Sequence, residues 1–292
     1  MPRFSIRNVL LAGIIAAASS GVAHADIALQ SGDRWSPDQT VIVPGQLVLK
    51  IKDKVDNVQV GPARVMNARN FLWSSRDAEI SNLSIVGVDA MDIRREGIRL
   101  DGTVDGAIIS NFNIFMAARP SDKVATGINL RTGSDILLND GEICCFRTVE
   151  DGYPRGDGVV AERAVDTLTI ARVRSTDNAD GGFDLKAANA VLEDLYAARN
   201  YRNFRFWGGV RAETITSEAP RDAHVWAGNG AEVVIDHLIA KSDEAKPLLR
   251  LRNARSVEIR RCTLDVPADT PTIVGEWEEG SVTLGAGCEA PA

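Results

Sequence analysis

Ser175–Trp207 reads STDNADGGFDLKAANAVLEDLYAARNYRNFRFW, and the alternation of its side chains decides the fold. Phe183, Leu185 and Ala187 take one parity, while Asp184 and Lys186 take the other. A strand here buries the first set and presents the second, because successive side chains point to opposite faces. The same split recurs at Phe204 and Phe206 against Arg205 and Trp207. Two such strands stacked in register set Asp184 beside Arg205 and Lys186 beside Trp207. Polar chemistry is nowhere denser: Asp177, Asp180, Asp184, Lys186, Arg199, Arg202, Arg205 and Trp207 all fall inside this stretch.

Internal repeats show whether such strands stack. The phrase Ile-x-Asn-Leu-x-Ile at Ile80 has echoes that place equivalent positions at Asn82, Asn111, Asp140, Arg172, Asp194, Ser217, His237 and Arg261. After each phrase comes a second short strand: GIRLDG from Gly97, GINLRTG from Gly127, GVVAERA from Gly158, GFDLKAA from Gly182, NFRFWGG from Asn203, HVWAGNG from His224 and LLRLRNA from Leu248. Two or three short strands per turn of about 20 to 30 residues, with insertions at one corner, are the pattern of a solenoid whose turns pair as parallel strands. The segments are too short, too β-branched and too regularly alternating for a helical repeat. A doubly wound α/β fold needs amphipathic helices between strands, and only Ala187–Arg199 imitates one. The expectation is an all-β protein, a parallel β-helix forming a single elongated domain over residues 26–292.

In this repeat form the chain resembles the right-handed parallel β-helix superfamily that includes pectate-lyase-like and polygalacturonase-like proteins, over roughly Asp53 to Leu284. The resemblance implies a right-handed coil and, since secreted members often cut or bind acidic polysaccharides, a polysaccharide partner. Ser175-Thr176-Asp177 resembles the Asn-Thr-Asp of the hydrolases, and Val234-Ile235-Asp236-His237 resembles the Trp-Ile-Asp-His of the lyases. No Gly-His-Gly occurs, and no residue role is carried over.

The opening residues MPRFSIRNVLLAGIIAAASSGVAHA carry Arg3 and Arg7, an apolar run from Val9 to Ala18, and Ala23-His24-Ala25. This is the pattern of a secretory signal peptide over residues 1–25, so export to the periplasm or beyond is expected. The apolar run is short for a membrane span, and no later segment reaches the required length. With 33 Lys and Arg against 40 Asp and Glu, the acidic balance argues against a general nucleic-acid or anionic-membrane partner. In an oxidising compartment Cys262 with Cys288 is one pair; a bridge between the neighbours Cys144 and Cys145 is strained, and these read as small fillers rather than metal ligands. His224 and His237 are isolated in sequence, and a solvated or turn-bonded role suits His237.

Stacking the second strands gives two outward columns: Arg99, Asn129, Val160, Asp184, Arg205, Trp226, Arg250, and beside it Asp101, Arg131, Glu162, Lys186, Trp207, Gly228, Arg252. One reading is a solvated ion-pair ladder, Asp101 with Arg131, Arg131 with Glu162, Glu162 with Lys186 and Asp184 with Arg205. The other is a sugar-binding face, because outward Trp207 and Trp226 suit stacking on apolar sugar faces. Asp157, Asp177 and Asp180 sit in glycine-rich turns whose oxygens suit Ca²⁺, although Asp at turns commonly caps its own backbone. Two chemistries fit. In β-elimination Arg202 and Arg205 clamp a uronate carboxylate and Lys186, or an arginine flanked by other cations, is the base; in hydrolysis Asp180 with Asp184, or Asp184 with Glu162, flank the bond. Arg199 and Arg202 either contact substrate or neutralise Asp177 and Asp180. A non-catalytic glycan-binding or envelope structural protein would use the same face.

Overall fold

The computed structural model describes residues 25–119, 121, 123–148, 153–278 and 280–289. The expected leader therefore lies, apart from Ala25, outside the described residues. Every regular element is a β-strand, and the strands pair in parallel. One register column runs Ala28, Lys50, Trp73, Arg99, Asn129, Val160, Asp184, Arg205, Trp226, Arg250, Val274, which counts eleven coils among the described residues. The chain is a right-handed parallel β-helix in a single elongated domain. No helix among the described residues is long and apolar enough to cross a membrane.

The coil closes because its inward positions are apolar. Leu72, Ile98, Ile128, Val159, Phe183, Phe204, Val225 and Leu249 form one stacked column, all fully buried. Phe183 lies flat on Phe204, with ring centroids 5.4 Å apart and planes 5° apart. Burying such a side chain contributes on the order of 2 kcal/mol, so the column is a continuous driving force for stacking.

Several strands are too long to be straight: Glu96–Met116 has 21 residues. They bend at single residues in the left-handed region. One corner column is Gly87, Asn111, Asp140, Arg172 and Asp194, with φ of 71°, 51°, 55°, 52° and 51°. Gly, Asn and Asp reach this conformation at little cost. Arg172 is the exception, and its guanidinium binds Asp140 in the coil before through Nε at 2.6 Å and Nη2 at 3.0 Å. This corner corrects the sequence alignment at two points. Asn82 lies opposite Gly106 in a different corner column, and Thr214, not Ser217, lies opposite His237. Thr214 is outside the left-handed region, so the Asn/Asp/Gly signature is absent there. The second strands need no correction, since all seven keep the expected register.

Cys262 and Cys288 are bonded, as expected. Cys144 and Cys145 are bonded to each other, which corrects their reading as unbridged fillers. Cys145 occupies a left-handed corner with φ 78°, and this turn brings the two sulfurs together.

Candidate functional site

Behind the outward face runs a buried polar ladder that fixes the corners. Asn178 and Asn200 follow the left-handed Asp177 and Arg199 and turn inward, each fully buried. Asn178 Nδ2 donates to Ser175 Oγ at 3.0 Å and to Asn200 Oδ1 at 2.9 Å; Asn200 Nδ2 donates to Asn203 Oδ1 at 3.0 Å. Asn203 Nδ2 donates to Ser217 Oγ at 2.8 Å, and Ser217 Oγ lies 2.8 Å from His224 Nδ1. Gly158 and Gly182 sit where a side chain would collide with this ladder: a Cβ on Gly182 would lie 2.7 Å from Asn200 Nδ2. Buried amides with paired donors and acceptors hold one geometry, because any slip strands a polar group without water. The corners that carry Asp180 and Arg202 are thereby fixed from within.

On the outer side the same coils converge. Arg205 Nη1 lies 3.2 Å from Asp180 Oδ2 and 3.8 Å from Asp184 Oδ2. Trp207 Nε1 donates to Asp184 Oδ1 at 2.7 Å, and Lys186 Nζ lies 3.6 Å from Asp184 and 3.1 Å from Glu162. Arg202 Nε donates to Asp222 Oδ2 at 2.8 Å, and Arg250 pairs with Asp222 at 3.0 Å. Gly181 N–H donates to Asp157 Oδ1 at 2.7 Å. Tyr153 closes the rim: its hydroxyl donates to Asp180 Oδ1 at 2.9 Å and accepts from Arg202 Nη1 at 2.8 Å, while the residue stays 45% exposed. Sequence reasoning missed Tyr153, which belongs to no strand and carries no repeat signal.

Indoles support the guanidinium groups. Trp207 and Trp226 have ring centroids 4.3 Å apart, and the Arg205 guanidinium lies 4.7 Å from one ring and 5.4 Å from the other. Arg202 lies 5.5 Å from Trp226. Trp226 is only 4% exposed, so it is a floor under the arginines rather than the open stacking surface expected of it. Its register is outward; neighbouring side chains cover it. Trp207 stays partly exposed.

The electrostatics follow from crowding. Burial, with the neighbouring Asp184 and Asp180 carboxyls, pushes the Asp157 carboxyl well above its ordinary range. Burial also raises Asp180, against the opposing pull of Arg205, Tyr153 and Arg202. Burial and the nearby Asp180 carry the Tyr153 phenol up to about 12. The cluster thus holds protons on Tyr153 and Asp157 that isolated groups would release more readily.

Asp184, Asp180, Arg205, Arg202, Lys186, Trp207 and Glu162 are brought together as expected, with Trp226 beneath them and Asp157 at the edge. Arg199 and Asp177 are not. They form their own exposed corner pair, Nε–Oδ1 2.8 Å and Nη2–Oδ2 2.7 Å, and Arg199 holds the Asp177 carboxyl below its usual range. Asp157, Asp177 and Asp180 accordingly do not make one ligand set for Ca²⁺, and no group of three or more metal-ligating side chains is placed to hold an ion among the described residues. Of the ion-pair ladder, Asp101–Arg131, Glu162–Lys186 and Asp184–Arg205 are present, but Asp101 and Asp184 are buried rather than solvated. His237 is bonded to Thr263 and Arg261 at its corner, in keeping with a turn-bonded role.

Fold and site define a parallel β-helix protein with a fixed cluster of arginines, carboxyls and aromatic rings on one wall. No protein-family model matches the chain, and no curated protein or solved structure matches it.

Proposed function

We propose that the protein is exported and cleaves an acidic polysaccharide by β-elimination at the Tyr153–Arg205 cluster. The observation that carries this reading is the Tyr153 hydroxyl, held between Asp180 and Arg202 at the open rim of the arginine pair. A uronate carboxylate laid over Arg202 and Arg205 meets two guanidinium groups, which bind carboxylates through paired N–H donors and stabilise the extra charge that develops when the adjacent ring proton leaves. Tyr153, which keeps its proton to about pH 12, supplies the acid for the departing glycosidic oxygen. Lys186 takes the ring proton as base once it has passed its own proton to Glu162, 3.1 Å from its Nζ. Trp207 offers its partly exposed face to a sugar ring. Hydrolysis is less well served: the Asp180 and Asp184 carboxylates are both buried and both face one Arg205 nitrogen, so no sugar–sugar bond fits between them.

The test is incubation of the protein with a panel of uronate polymers while ultraviolet absorbance of unsaturated ends is followed. Absorbance should rise with one of them, and Tyr153→Phe should slow the reaction by about 10²- to 10⁴-fold. New reducing ends without absorbance would mean hydrolysis. A folded Lys186→Ala variant with full activity would remove Lys186 from the machinery. A second reading, a non-catalytic glycan-binding protein, is favoured by one observation: Asp180, Asp184 and Glu162 each already have a cationic partner. Retained binding with neither product would establish it.

A further inference from the structure

We infer that the wall carries a second saccharide subsite, a cleft of about 370 Å³ in which Arg69, Arg95 and Trp73 receive a uronate unit. The inference rests on the acidic-polysaccharide reading and adds where along the molecule the polymer is held. Two acids line the cleft, and Arg99 takes up both: its Nη1 lies 2.9 Å from Glu96 and its Nε 2.8 Å from Asp101. Glu96 is buried and also accepts from Asn70 at 3.1 Å, while Asp101 lies 3.4 Å from Arg131. That leaves positive charge without an answer. Arg95 Nε lies 3.7 Å from Glu96 but makes no hydrogen bond, so three guanidinium groups face two carboxylates, and the exposed Arg69 guanidinium has no side-chain partner among the described residues. A carboxylate entering the cleft would supply the partner that the Arg69 guanidinium lacks, through paired N–H donors.

The cleft also has an aromatic wall and a path to the first site. Trp73 is partly exposed and stands in the register column directly before Arg99. From Arg99 the column continues through Asn129 and Val160 to Asp184, three steps of about 4.8 Å, or roughly 14 Å. Neither intervening residue carries charge. Asn129 is 9% exposed, so the path between the two sites is flat and uncharged. A single sugar cannot touch both ends of that path; an oligosaccharide lying along the solenoid axis can. The arrangement predicts length-dependent binding, since the second contact of a tethered ligand is made intramolecularly.

The experiment is calorimetric titration of the full chain with oligogalacturonates and oligomannuronates, from dimers to lengths that exceed the path. Wild-type affinity should step upward once the oligomer spans both sites. Arg69→Ala should abolish the step and weaken long oligomers by about tenfold or more. The Arg69 side chain is exposed and has no side-chain partner among the described residues, so its truncation takes no such contact from the fold, and Trp73→Ala should reproduce the effect. Long oligomers bound equally by wild type and both variants, with Arg205→Ala abolishing binding, would overturn the subsite and leave the central cluster standing. Failure of wild type to bind any uronate oligomer would overturn the acidic-polysaccharide reading and the subsite with it.

Discussion

Asp157 is the side chain most at odds with its surroundings. Its carboxyl accepts the Gly181 N–H at 2.7 Å but shares its space with Asp184 and Asp180, whose effect Arg205 opposes. A carboxyl whose pKa is raised on folding contributes stability below its unfolded value, near 3.8, and loses it as pH rises through the folded value. Asp157→Asn keeps an oxygen for Gly181 and cannot ionise. The variant should therefore melt with wild type at pH 4 and above it at pH 8, by about 2 to 4 °C for each kcal/mol relieved. Melting curves at both pH values check this; a difference that does not grow with pH would show that the carboxyl is not strained by its neighbours. The outcome bears on the proposed chemistry, because the same burial raises the pKa of Asp180 and carries that of Tyr153 to about 12.

At the scale of elements, the corner and its inward polar ladder set the site's geometry. His224 ends that ladder, fully buried, one Nδ1 contact to Ser217 and no partner for Nε2. Burial lowers it from 6.5 to about 4, so it stays neutral in the native state. The sign is opposite to that of Asp157: stability is complete above pH 6.5 and is lost as pH falls toward 4, by on the order of 3 kcal/mol. Asn203 fills the same register position one coil earlier, so His224→Asn extends an asparagine ladder already present. Urea midpoints of wild type should drop between pH 7 and pH 4 by an amount the variant does not show. The register of these elements was legible in the sequence because period-two alternation fixes parity, and parity carried the pairing of Asp184 with Arg205. Coverage was not legible. Trp226 has outward parity yet is buried under Arg202 and Arg205, and Tyr153 reaches Asp180 from a loop with no periodicity to read. Asn82 was placed in the wrong corner because two corner columns use the same Asn/Asp/Gly chemistry.

For the molecule as a whole, each coil touches only its neighbours, so stability is distributed locally and the ends are its weak points. The C-terminal end is held by Cys262–Cys288, which ties strand Ser256–Asp265 to the chain just past Val282–Ala286 across a separation of 26 residues. A loop of that length is worth about 3 kcal/mol in the chain-entropy account. In a one-dimensional stack, losing it should loosen what it encloses and little else. Replacing both cysteines by serine should speed amide exchange in Ser256–Asp265 and Val282–Ala286, while Gly181–Leu185 and Arg202–Phe206 keep their protection. Exchange read by mass spectrometry on peptides from both regions distinguishes this from a molecule that opens as one unit, in which protection would fall equally along the chain. The local outcome would also mean that the arginine–carboxyl cluster, several coils from either end, is insulated from fraying by the coils that flank it.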